Sequence, residues 1–224
     1  MERTSEISGG RVCSYGLCIL ASLFFSAYAF AAGNESDLVA AAAGGDLSRV
    51  KTLLAAKVSA NARGEDGVTA LMAASHNGYE EVVGALLDAK ADANARTSNG
   101  TTALMRAAQK GHILVVRNLL ARGADVNARR ADGVTVLMQA AQEGQIEVMN
   151  ALLAAGAEVN TRLDNGATAL MLASQIGHKG VVQALLGRGA DVNAKAGNGA
   201  TALMLALKYR HQDVAKLLKE AGAK

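Results

Sequence analysis

Five methionines recur at one interval of about 33 residues: Met72, Met105, Met138, Met171 and Met204. Thioether sulfur is a soft donor that selects Cu(I), and peroxide converts it to the sulfoxide. A column of such groups in an oxidising compartment could therefore capture copper or absorb oxidant. The competing reading is packing, because an unbranched, polarisable side chain fills irregular gaps between helices. Sulfurs carried one per unit on stacked helices stand about 8–10 Å apart, too far for neighbours to share one ion without rearrangement.

Two other sets invite chemistry. His76, His112, His178 and His211 could be metal ligands, but they are dispersed along the chain, and no Asp, Glu or Cys cluster has ligand spacing around them. A structural part, tying one unit to the next, suits them better. Arg63, Arg96, Arg129, Arg162 and Lys195 form a basic column in the same phase. Spaced about one Debye length at 0.1 M salt, these cations repel each other tolerably and offer a rail to an acidic partner surface. The sequence contains no Ser-His-Asp set, paired-carboxylate pocket or phosphate-loop phrase, so an enzyme is not expected.

The elements that position these residues follow from the repeat itself. Asp66-Gly67-Val68-Thr69-Ala70-Leu71-Met72 returns from Asn99, Asp132, Asn165 and Asn198, while Leu53, Leu86, Leu119, Leu152, Leu185 and Asn61, Asn94, Asn127, Asn160, Asn193 keep the same phase. In each unit the Asp/Asn-Gly pair supplies residues that tolerate positive φ for a tight hairpin turn, and Thr69, Thr102, Thr135, Thr168 or Thr201 then caps a short helix. Gly78, Gly111, Gly144 and Gly177 stop that helix in left-handed geometry. A second helix buries pairs such as Val82-Val83 and Leu86-Leu87, and ends at Gly123, Gly156 and Gly189, or at Lys57 and Lys90 in the first two units.

The unit from Asn99 to Ala131, NGTTALMRAAQKGHILVVRNLLARGADVNARRA, resembles the ankyrin repeat, and the likeness covers roughly Glu35 to Lys224. The resemblance implies an all-α solenoid of stacked helix-turn-helix units with β-hairpin loops, and His at the Gly-His joint. This chain departs from the family phrase in two places. Methionine stands where the family usually has His after Thr-Pro-Leu, and Ala or Val replaces the Pro. The expected organisation is a signal peptide over 1–31 and an ankyrin domain over 32–224. That domain comprises an N-terminal cap repeat (35–65), repeats 66–98, 99–131, 132–164 and 165–197, and a C-terminal cap repeat (198–224).

Composition agrees with helical packing of small side chains: 50% hydrophobic residues, 3% aromatic and no proline among 224 residues. A formal charge of +3 is too mild to argue for nucleic acid, and no aromatic row exists for stacking bases. Arg3 and Arg11 precede an apolar run, Val12 to Phe30, that closes on Ala27, Ala29, Ala31 and Ala32, the pattern of a secretory leader cleaved after Ala31 or Ala29. The competing reading is an uncleaved anchor, since the run approaches the ~20 residues that span a bilayer. Cys13 and Cys18 both fall in the leader, so the processed chain carries no thiol.

Residues that vary while the frame stays fixed mark the binding surface. The resemblance implies that the first helices and hairpin tips line a concave groove that grips another protein. Here that groove is basic and polar at its centre, around Arg106, Gln109, Lys110, Arg129, Arg130, Gln139 and Gln142. It turns apolar toward the C-terminal half, with Leu163, Leu172, Gln175, Ile176, Leu205, Lys208 and Tyr209. Tyr209 is the best single anchor. The expected function is a non-enzymatic, monomeric scaffold without cofactor. It binds a partner protein in the periplasm or beyond, and touches a membrane only if the leader is retained. Copper or oxidant handling by the methionine column is the alternative.

Overall fold

The computed structural model describes residues 35–224, so the leader and its cleavage site lie outside the described residues. The described chain is a succession of helix pairs: α1 (35–43) and α2 (Leu47–Ala55), α3 (Ala70–Asn77) and α4 (Glu80–Asp88), α5 (Ala103–Lys110) and α6 (Ile113–Ala121). They continue as α7 (Val136–Glu143) and α8 (Ile146–Ala154), α9 (Ala169–Ile176) and α10 (Lys179–Gly187), α11 (Ala202–Lys208) and α12 (Gln212–Glu220). Each element contacts its own pair and its neighbours in the stack, which is the one-dimensional architecture of a solenoid.

Local chemistry sets the boundaries. The Thr hydroxyl at each of five first-helix starts accepts the amide three residues on, as from Met72 to Thr69 at 3.2 Å and Met138 to Thr135 at 3.2 Å. Gly78, Gly111, Gly144 and Gly177 then end α3, α5, α7 and α9 in the left-handed conformation. Arg210 takes that place in the last unit at φ 64°, and Lys57 and Lys90 end α2 and α4 at 66° and 67°.

The hairpins are short. Arg130 donates to the Val134 carbonyl at 2.9 Å and Gly133 to the Arg130 carbonyl at 3.0 Å, and the same pair of bonds recurs in the other loops. Among the described residues the strands amount to isolated antiparallel bridges, Arg63 with Thr69 and Arg129 with Thr135. The expectation about Asp/Asn-Gly needs correction. Only at Asp66-Gly67 do both residues have positive φ; Asn99, Asp132, Asn165 and Asn198 do not, and each uses its side-chain oxygen to accept the amide two residues on. These residues are selected as acceptors, not for left-handed backbone.

The first helices pack against one another more extensively than the second helices do. Fully buried Ala74, Ala107, Ala140, Ala173 and Ala206 permit that close approach. Met72, Met105, Met138 and Met171 are packed with 2% exposure or less, whereas Met204, in the last described helix pair, is 54% exposed. Four of the five sulfurs are thus core atoms closed to solvent, where the flexible side chain fills space between helices. Packing is the reading that the structure supports.

Candidate protein-binding face

Three sets of side chains lock the frame and so define what remains free. Asn160 spans two units: its Nδ2 donates to the Gly189 carbonyl at 3.0 Å, and its Oδ1 accepts the Asp191 amide at 2.8 Å. Asn61, Asn94, Asn127 and Asn193 repeat that bridge. The joint histidines form a second seam. His112, His178 and His211 each approach a carbonyl of the preceding unit, at His76, Gln142 and Gln175, with Nε2 3.0 Å away. Among the described residues no group of His, Cys, Asp or Glu could hold a metal ion.

The basic column makes the third seam. Arg63, Arg96 and Arg162 donate Nη1 to the carbonyls of Arg96, Arg129 and Lys195 in the next unit, at 2.9, 3.1 and 2.8 Å. Arg96, Arg129 and Arg162 also lie 3.9 Å from Asp125, Glu158 and Asp191. The column that offered a rail for an acidic partner is therefore largely committed within the chain. Arg129 belongs to it, half-exposed and turned along the stack toward Glu158.

Arg130, next in sequence, points elsewhere. With Thr101, Met105, Arg106, Gln109 and Gln139 it lines a recess of about 170 Å³ between α5, α7 and the hairpin tips. Arg130 pairs through Nη2 with Asp132 at 2.6 Å, but its Nε is shut from water without an acceptor, as is Nε of Arg106. Gln139 is only 9% exposed. Among the described residues Arg106, Gln109 and Gln139 have no side-chain hydrogen bond or ion pair.

The remaining expected residues spread along the same row. Lys110 and Gln142 are exposed at the ends of α5 and α7. Leu163, Leu172, Gln175 and Leu205 are half-buried, and Ile176, Lys208 and Tyr209 are exposed, with Lys208 Nζ 5.4 Å from the centre of the Tyr209 ring. Tyr209 also serves as the C-cap residue of α11. The structure brings Arg106, Gln109, Arg130 and Gln139 into one recess, while the C-terminal residues form an open, more apolar strip. Thr101, at the tip of the hairpin before α5, completes the recess.

A shallower hollow of about 590 Å³ lies on the opposite row, lined by Arg117, Leu120, Glu147 and Asn150 of α6 and α8 and by small residues. It brings together no nucleophile and base. No helix among the described residues is long and apolar enough to cross a membrane.

A search of curated proteins returned no match. The family model described as "Ankyrin repeats (3 copies)" matches residues 38–130 and again 131–224, which leaves only the first 37 residues outside it. With the helix pairs in register over that whole length, and the Thr caps and hairpins repeating from Thr69 onward, the chain belongs to the ankyrin repeat family.

Proposed function

We propose that this protein is a non-enzymatic scaffold that holds one partner protein along its first-helix row and hairpin tips. Ankyrin repeats indicate protein–protein interaction. What carries the finer reading is the column Arg106, Gln139, Leu172 and Leu205, one residue per first helix. Its chemistry changes from unit to unit while the Asn ladder repeats at every junction from Asn61 to Asn193. A frame held by other residues leaves this column free to suit a partner, and polar groups flanking apolar ones are the makeup of an interface. On the same reading the chain works as a monomer, exported to the periplasm or beyond after loss of its leader.

Photo-crosslinking tests this. A crosslinking residue at position 172 captures one defined protein from the exported fraction, and one at position 117 on the opposite row does not. The triple variant R106E/R130E/Y209A loses the capture while keeping its helical circular dichroism. Equal capture from both rows, or capture that survives the triple variant, overturns the proposal. N-terminal sequencing of the exported chain tests the leader, with a new terminus after Ala31 or Ala29 as the expected result.

A further inference from the structure

Resting on that reading, we propose that the recess between Arg106, Arg130 and Gln139 is a subsite for one acidic side chain of the partner, its carboxylate held by the two guanidinium groups and the carboxamide.

Three observations carry this. The lining carries two cations and no carboxylate: Arg106 and Arg130 stand with Gln109, Gln139, Thr101 and Met105 around the space, and Asp132, outside the lining, pairs with Nη2 of Arg130. A guanidinium N–H buried without an acceptor is destabilising, and the cost is offset when an acceptor arrives. Both arginines line the recess, and the Nε of each is closed to water without an acceptor. Arg–carboxylate geometry is planar and often bidentate, which suits a pair of guanidiniums better than a pair of ammonium groups.

Size selects the source of the anion. Pockets for free small molecules run from about 300 Å³ upward, whereas this one holds about 170 Å³. That is room for a carboxylate and its stem, the remainder of the ligand lying in the groove outside. The electrostatic setting agrees: His76, one unit earlier, has its imidazole held below the ordinary value, first by burial and then by the charges of Lys110, Arg106 and His112. Of these groups Arg106 itself lines the recess and contributes positive potential there.

The test uses the full chain, isotope-labelled, and reads the Arg Nε–Hε resonances by NMR. The probes are capped acetyl-Gly-Glu-Gly-amide, its Gln counterpart and inorganic phosphate. The expected result is that the resonances of Arg106 and Arg130 shift with the Glu peptide and not with the Gln peptide. R106Q or R130Q should weaken the response about tenfold, the equivalent of one charge-assisted hydrogen bond. R117Q, which removes the same charge from the opposite row, leaves the response unchanged. Gln is the residue that the next unit carries in the Arg106 column, so R106Q preserves the frame. Shifts as large with phosphate or with the Gln peptide overturn the assignment to a partner's acidic side chain. No shift at either arginine overturns the subsite alone, because capture at position 172 still reports independently on the groove.

Discussion

The imidazole of His112 covers Gly78 of the preceding unit so closely that a methyl group on that glycine would stand 2.6 Å from Nδ1. Gly78 is therefore required twice, for its left-handed backbone at φ 77° and for the ring above it. Gly123 has a similar φ of 82° with nothing near its Cα substituent position. Left-handed backbone costs an L-residue about 1–2 kcal/mol, and overpacking adds about 1–3. Urea unfolding is expected to show G123A destabilised by the first amount and G78A by both; equal losses would mean that the ring moves aside freely.

The Asn ladder makes a separate prediction. Asn160 satisfies one carbonyl and one amide of the next unit, and N160A deletes both bonds at an exposed seam. The expected loss is about 1–2 kcal/mol. N160D keeps the acceptor for the Asp191 amide but cannot donate to Gly189, so its unfolding midpoint should fall between those of wild type and N160A. A midpoint for N160D at or below that of N160A would show that the donor bond dominates.

How legible these features were depends on how local they are. Thr69 as a cap, Gly78 as a stop and Lys57 and Lys90 as strained helix ends each follow from a few neighbouring residues, and the structure has them all. The histidine tie was legible from its phase alone. Two things were not. Asn99 and its equivalents look like left-handed residues in the sequence, yet their side chains do the work, a choice between two mechanisms that share the same residue type. The recess was hidden because Arg106 and Gln139 lie a full repeat apart, and only stacking brings them beside Arg130. Nothing in the periodicity separates Arg129, held along the stack, from Arg130 beside it.

The methionine column yields a prediction by accessibility. Sulfoxide formation needs a solvent-exposed sulfur, and within the column only Met204 offers one. Mild peroxide followed by mass spectrometry of the native chain should find Met204 oxidised and Met72, Met105, Met138 and Met171 protected. After urea unfolding all five should react alike. Early oxidation of Met138 in the native chain would revive the oxidant reading. Copper titration provides the parallel check, with no stoichiometric Cu(I) expected.

His76 gives the stack a dependence on pH. Burial, then Lys110, Arg106 and His112, lower its folded pKa beneath the ordinary 6.5. The unfolded chain therefore takes up a proton at a higher pH than the folded one. Stability is full above about 6.5 and is lost as pH falls from there toward the folded value. Gln stands at this column in the next three units, as Gln109, Gln142 and Gln175, so H76Q fits the frame and removes the titration. The bond from His112 goes to the backbone carbonyl at position 76 and survives the change. Thermal unfolding at about pH 7.5 and about pH 5.5 should therefore show a smaller drop in Tm for H76Q than for wild type. Identical drops would mean that the cations around His76 leave its protonation unaltered.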